Sequence, residues 1–244
     1  MIGASRSAST REYQVLSTTN ITSTGTQTYT VPAGVVFLEI EMYGGGGGGG
    51  LGGTVSGRGS STHTNGEGGG GGAYVKHRIR IDDLRQNDTI TVSLGAGGSP
   101  ETSNNLQPGD NGGDSTLNKH ERGGSTITTF SNIRARGGVG GRSNFHGGHP
   151  NSGEGGTAEG GNLSNDDGGD AADRTSGSFT AIAGTSGAAA ASAPERGGAV
   201  SGASAGFAAT VGDAVGGGGG GGASTVNVAG ASGADGKIII KAFG

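Results

Sequence analysis

Few residues of this chain have the types and spacing that catalysis requires. Residues 202–206 spell Gly-Ala-Ser-Ala-Gly, the Gly-x-Ser-x-Gly pattern of a serine nucleophile. That pattern works on a strand-to-helix turn, and no helix is predicted nearby, so we interpret it as chance in a Gly/Ala/Ser-rich segment. Two runs of seven glycines, 44–50 and 216–222, are not followed by the Lys of a phosphate-binding loop.

Acidic pairs are the other catalytic candidates. Asp82 and Asp83 are adjacent, as are Asp166 and Asp167. Adjacent acids in turns are normally solvated, and a pair of catalytic carboxylates must instead be brought together in space. We therefore predict no catalytic residues, no cofactor and no enzymatic activity.

A metal site has one sequence candidate. His146 and His149 form the only close histidine pair. Two imidazoles in a polar segment are more typical of an exposed loop than of a metal centre. Residues 109–117 also lack the tandem Gly-Gly-x-Gly-x-Asp repeats that bind calcium. The prediction is that no metal is bound.

Residues 142–151 have the composition of a recognition loop. An aromatic residue, Phe145, lies among Gly, Asn, Ser and His. In antibody-like binding loops a ring supplies contact area and small polar residues supply hydrogen bonds. Phe145 could equally anchor the loop to its own domain. The candidate receptor-binding residues are Asn144, Phe145, His146, His149 and Asn151.

The elements that must position this loop are rich in glycine. Glycine supplies 60 of 244 residues, and the chain has no Cys and no Trp. Each seven-glycine run lies close to an apolar strand-like segment, whereas a flexible linker has patternless polar neighbours. Because glycine lacks Cβ, two such backbones can approach closely enough to hydrogen-bond. We expect both tracts to be packed, but the tracts are too irregular for collagen.

Alternating apolar residues predict an all-β fold, a glycine-rich β-sandwich or jelly-roll-like domain with long irregular loops. Predicted strands cover residues 35–43, 73–81, 89–94, 125–136 and 237–243. Residues 28–34 are predicted to be a strand that ends in a Pro-containing turn, and residues 109–117 a turn that opens a short strand. Residues 1–27 are predicted to be an arm that docks on a partner or neighbouring subunit. The glycine-rich β domain follows at 28–244, with a polar loop at 51–67 and a long variable insertion at about 141–215.

Charge alternation predicts one strand pair. Glu39 and Glu41 share one face of their strand, and Lys76, Arg78 and Arg80 share one face of theirs. We expect these faces to pair, which makes the basic residues a solvated strand face rather than a binding patch.

The net charge of the chain limits the kinds of partner that it is expected to bind. A net charge of −4 gives no electrostatic footprint for nucleic acid or an anionic membrane surface. No apolar segment is long enough to span a membrane, and we expect no secretory leader. The small apolar core predicts stabilisation by assembly, with a homotrimer expected.

The order of the glycine motifs resembles a known family. The succession is 29–35 (YTVPAGV), 44–50 (seven Gly), 68–74 (GGGGGAY), 90–98 (ITVSLGAGG), 112–116 (GGDST), 135–138 (ARGG) and 233–240 (GADGKIII). It is similar to the glycine-rich domain family found in bacteriophage tail-fibre and other virion proteins, and more distantly to the tail-fibre adhesins of T-even-like phages, from which it departs in the irregular length of most of its glycine motifs. No receptor residue is carried over from those adhesins.

The resemblance implies a β-sandwich with variable loops exposed at one end. It also implies a virion component made in the host cytoplasm, at a tail fibre, tail tip or capsid surface, with other virion proteins and a host receptor or glycan as partners. Two alternatives stay open. One is a purely architectural capsid decoration or head-fibre protein. The other is an ice-binding or extracellular glycine-rich structural protein, which the scarcity of regular Thr-x-Thr arrays disfavours.

Overall fold

A computed structural model describes residues 12–57, 60–64, 66–102, 107–142, 153–171, 215 and 229–244. Its thirteen strands are β1 (Val15–Ile21), β2 (Gly25–Thr30), β3 (Phe37–Tyr43), β4 (Gly53–Gly57), β5 (Ser60–Thr64), β6 (Tyr74–Arg80), β7 (Thr89–Leu94), β8 (Ser115–Arg122), β9 (Ser125–Thr129), β10 (Arg134–Ala135), β11 (Ala158–Glu159), β12 (Ser164–Asp166) and β13 (Lys237–Phe243). A 3₁₀ turn at Ile81–Asp83 is the only helical element within those ranges.

The strands form two antiparallel sheets. The first has the order β1-β13-β3-β6-β12, and the second has the order β11-β10-β8-β7-β2 with β9 also paired to β8. Strands β4 and β5 make a separate hairpin. The predicted all-β sandwich is therefore confirmed.

Alternation along the strands builds the core between the sheets. In β13, Ile238, Ile240 and Ala242 are fully buried while the residues between them are half-buried. In β7, Ile90 and Val92 face them from the second sheet as members of the same apolar cluster. Burying each of the larger side chains stabilises the fold by about 1.5–3 kcal/mol.

The predicted charge pairing of β3 with β6 is confirmed. Glu39 lies opposite Arg78 and Glu41 opposite Lys76 in the ladder. Lys76 Nζ lies 2.8 Å from Glu39 Oε2, and Arg78 also donates to Glu39. Burial disfavours the charged form of Glu39, but hydrogen bonds from Lys76 and Arg78 outweigh it, so the pKa of Glu39 is lowered. Arg80 is exposed and forms no ion pair with any described residue.

The segment predicted as an arm contributes to the domain. Within 1–27, β1 pairs with β13 along its whole length, and β2 begins at Gly25. The segment lacks strong apolar alternation because β1 is an edge strand with largely exposed side chains. Its backbone hydrogen bonds hold it in place. Residues 1–11 lie outside the described part of the chain.

Two regions predicted as irregular also contain strands. The polar loop at 51–67 includes the β4–β5 hairpin, and the insertion at 141–215 includes β11 and β12, which pair with β10 and β6. Strands β11 and β12 are only two and three residues long. Such short ladders leave no apolar period for sequence analysis to detect.

Candidate functional site

A bundle of extended glycine-rich segments continues from one end of the sandwich. Residues 44–50 leave β3 and donate their N–H groups in rotation to three antiparallel neighbours. All seven bonds are 2.8–2.9 Å long. Gly44, Gly47 and Gly50 donate to the carbonyls of Ala73, Gly70 and Glu67, respectively. Gly45 and Gly48 donate to Gly113 and Asp110, and Gly46 and Gly49 donate to Ala234 and Ala231. This period of three is that of the polyproline II helix.

Further neighbours approach the same central segment in parallel. Gly98 and Glu101 donate to Gly46 and Gly49 from segment 95–101, and segment 136–142 donates in the same way to the carbonyls of Gly45 and Gly48. Five segments therefore surround residues 44–50, namely 66–73, 95–101, 107–114, 136–142 and 229–236. We call this array the bundle, which also includes 153–157 and 168–171 on its outer side.

Only glycine fits at the contacts inside the bundle. A Cβ on Gly45 would lie 2.1 Å from the carbonyl oxygen of Ala96, and one on Gly48 would lie 2.0 Å from that of Ser99. Distances this short prevent any side chain at these positions. The first tract is packed, as the sequence predicts; the second, 216–222, lies outside the described residues.

Acid and amide side chains supply acceptors at the bundle surface. Each of these side chains accepts a hydrogen bond from a backbone N–H in a neighbouring segment, and that N–H has no backbone acceptor among the described residues. The pairs are Asn111 with Gly140, Asp114 with Gly137, Asp170 with Gly155 and Asp235 with Gly97, at 2.8–3.1 Å. The spacing of three between Asn111 and Asp114 matches the turn of the extended helix.

The two acidic pairs considered as catalytic candidates lie in the 3₁₀ turn and at the end of β12. Asp82 and Asp83 are exposed in the 3₁₀ turn. Asp167 accepts a bond of 2.7 Å from the N–H of Ala158, and Asp166 accepts one of 2.7 Å from the hydroxyl of Ser164. Both members of the second pair are thus used by the fold. Gly202–Gly206, the serine motif, lies outside the described residues.

The outer end of the bundle collects the long connections. Segments 44–50, 95–101, 136–142 and 168–171 leave the sheets after β3, β7, β10 and β12. Segments 66–73, 107–114, 153–157 and 229–236 return to β6, β8, β11 and β13. The joining stretches 51–65, 102–106, 143–152 and 172–228 therefore all begin and end at this outer end. We call the described residues there, Gly50, Leu51, Glu67, Glu101 and Arg142, the tip.

Backbone hydrogen bonds join the neighbouring segments at the tip. The N–H of Gly50 donates to Glu67 over 2.8 Å, and the N–H of Glu67 donates to Arg142 over 2.9 Å. Next to the following loop, Gly153 donates to Gly140. The ends of the 143–152 loop are consequently side by side on a rigid base.

The five predicted recognition residues, Asn144, Phe145, His146, His149 and Asn151, lie outside the described residues. Their flanks, Arg142 and Gly153, belong to the bundle. Sequence analysis places Arg142 at the start of the recognition loop at 142–151 but does not include it among the candidate receptor-binding residues. Its guanidinium Nε and Nη2 are buried without hydrogen-bond partners.

A second polar cluster lies at the opposite end of the sandwich. Asp88, directly before β7, accepts bonds from His120 Nε2 at 2.7 Å and from Arg122 Nε and Nη2 at 2.9 Å. The Arg122 guanidinium, together with His120, holds the pKa of Asp88 far below its usual range. His120 and Arg122 are each more than 30 residues from Asp88 in the sequence, so no local sequence motif predicts this cluster.

A cavity of about 300 Å³ lies beside that cluster. His77, Asp83, His120, Thr128 and Phe130 are among the residues that line it. Burial lowers the pKa of His77, so that imidazole is neutral near pH 7. The lining contains no Ser or Cys that could act as a nucleophile beside these histidines.

Two features are absent from the described ranges of the chain. No group of three or more His, Cys, Asp or Glu side chains that could hold a metal ion occurs among them. No helix in the same ranges is long and apolar enough to cross a membrane.

Comparison with protein families gives one match. A family described as a glycine-rich domain matches residues 21–243, which covers the bundle and every strand except β1, of which it includes only Ile21. Comparison with curated proteins gave no match.

Proposed function

The chain belongs to the glycine-rich domain family, and from this we propose that it is a bacteriophage virion protein of a tail fibre, tail tip or capsid surface. In this proposal the loops at the tip bind a host receptor or glycan, and the sandwich and bundle hold them. Its other partners are virion proteins. No reaction is proposed.

The grouping of four connections at one end of the bundle, three of them ten residues or longer, is the observation that supports this proposal. Binding residues occur disproportionately on loops that a rigid scaffold positions. The bundle has the properties of such a scaffold, since its glycines cannot carry side chains and its backbone groups are hydrogen-bonded across several segments.

Replacement of residues 143–152 by a four-residue Gly-Ser turn tests the proposal. The flanking segments are already adjacent, because the N–H of Gly153 lies 3.2 Å from the carbonyl oxygen of Gly140. A short turn can therefore close the gap while β11, β12 and the bundle stay intact. We expect a nearly unchanged unfolding midpoint and loss of virion adsorption to host cells.

Single substitutions refine that experiment. Phe145→Ala is expected to weaken adsorption more than His146→Ala or His149→Ala, because buried rings dominate binding energies. The matched control is Gly123→Asn in the β8–β9 hairpin, far from the tip. Virions that carry the shortened loop and adsorb normally would eliminate a recognition role for 143–152. Failure to incorporate the protein at all would instead favour the architectural alternative.

A further inference from the structure

Arg142 occupies an unusual position at the tip. It ends the bundle segment 136–142, and its carbonyl accepts the N–H of Glu67. Its side chain is only 16% exposed although it carries a full positive charge. A charge removed from water in this way requires hydrogen bonds to compensate for its lost hydration.

Those hydrogen bonds are missing on one edge of the guanidinium. Nε and Nη2 of Arg142 are both buried and neither has a partner. These two nitrogens form the side-on fork that binds both oxygens of a carboxylate or phosphate. A buried donor without a partner is costly, and such groups in native proteins call for an explanation.

Other arginines of this chain show what the fork binds. Arg122 donates from Nε and Nη2 to both oxygens of Asp88, and Arg134 donates from the same two atoms to Glu159. Among the described residues, Arg142 is the arginine with both Nε and Nη2 buried and without a hydrogen-bond partner.

Glu67 is the acid nearest to this fork in the described structure. Its Oε2 lies 4.0 Å from Nε of Arg142, beyond hydrogen-bonding distance. Glu67 also has another interaction of its own. It offsets part of the charge of Arg142 but does not satisfy the fork.

We infer that Arg142 binds an oxyanion of the surface ligand, either a carboxylate or a phosphate carried by a host polysaccharide. The inference rests on the proposed receptor-binding function and gives the ligand a chemical class. Two parallel N–H···O bonds from a buried guanidinium are strong and orientation-specific.

The direct test uses the wild-type full-length chain. Nitrogen-15 NMR of arginine side chains follows the Nε–H of Arg142, assigned through Arg142→Lys, during titration with sodium glucuronate, glucose 6-phosphate and glucose. We expect the Nε–H signal to shift with at least one of the two anionic sugars and not with glucose. A response to glucuronate alone identifies the carboxylate source, and a response to glucose 6-phosphate alone identifies the phosphate source.

Variants separate recognition from stability. Arg142→Lys keeps the charge and loses the fork, so binding of the responsive sugar should weaken about tenfold or more. Glu67→Gln should keep binding or strengthen it, since it removes a competing negative charge. No shift of the wild-type Nε–H with either anion, or equal binding by Arg142→Lys with an unchanged unfolding midpoint, overturns the inference. Loss of adsorption on replacing 143–152 tests the proposed function separately, because the NMR titration needs no host cell.

Discussion

At the scale of single residues, the cluster around Asp88 shows how a charge is kept inside the sandwich. Asp88 is 1% exposed and accepts bonds from Arg122, from His120 and from the backbone N–H of Arg85. Removing one member of a buried ion pair leaves the others without compensation, which is more damaging than losing an exposed pair.

Asp88→Asn is therefore expected to lower the free energy of unfolding by about 3–5 kcal/mol. Chemical denaturation monitored by circular dichroism measures it. The matched control is Glu121→Gln, which breaks the more exposed pair with Lys119 and should cost less than about 1 kcal/mol. Equal effects of the two changes would contradict the structural role of Asp88.

Asp88 and two other ionisable side chains make the free energy of unfolding depend on pH. Asp88 and Glu39 have lowered pKa values in the folded chain, so their contribution is complete above pH about 4 and is lost as the pH falls further. Burial lowers the pKa of His77, so the unfolded chain takes up a proton that the folded chain refuses once the pH falls below about 6.5.

Thermal unfolding midpoints should consequently fall between pH 7 and 5, and more steeply below pH 4. Asp88→Asn should flatten the steep acidic part. A midpoint that stays constant or rises from pH 7 to pH 3 would contradict the lowered pKa values of these groups in the folded chain.

At the scale of elements, the bundle replaces side-chain packing by backbone hydrogen bonding. Residues 44–50 donate to three neighbours in turn, so no single sheet ladder describes them. Ordering glycine has a high entropic cost, and many simultaneous bonds together with anchoring strands at one end of each segment offset it.

Gly47 provides the sharpest test of this packing. A Cβ there would lie 2.3 Å from the carbonyl oxygen of Val139, so Gly47→Ala and Gly47→Val should both lower the unfolding midpoint strongly. The control is Gly123→Asn, at a turn position with φ of +54° and open space around it. Asparagine tolerates this conformation, and little change is expected. An unchanged midpoint in both Gly47 variants would mean that the tract is loose.

At the scale of the whole molecule, the two ends of the folded domain present different surfaces. The tip gathers the long connections, whereas the opposite end exposes Tyr13, Val15 and Leu16, each 46–54% accessible. These residues lie where β1 meets the last residues of β13, beside Phe37 and Phe243. Exposed apolar groups of this kind favour contacts between subunits.

Assembly is therefore expected at the end opposite the tip. Light scattering should give three times the chain mass of 23.3 kDa, and Leu16→Asp should reduce that mass while the β-sheet circular dichroism is kept. Ile127→Asp, at a similarly exposed apolar position on β9, serves as the control. A monomeric wild-type chain with native circular dichroism would contradict the expected trimer.

Sequence analysis predicted the parts of the fold in which side chains carry a period. Strands β7 and β13 match their predicted bounds, and the pairing of Glu39 and Glu41 with Lys76 and Arg78 follows from alternation alone. Alternation works there because one face of each strand is buried and the other is not. The packing of 44–50 also follows from its glycines and their strand-like neighbour.

Tertiary structure alone decided the rest. Strands β1, β11 and β12 and the rotation of hydrogen bonds around residues 44–50 depend on backbone groups, which are the same in every residue type except proline and leave no mark in a sequence. Likewise, the meeting of Asp88 with His120, and the position of Arg142 beside Glu67 at the tip, depend on which segments lie side by side. The sequence determined which segments could pack without side chains, and the folded chain determined where their ends meet.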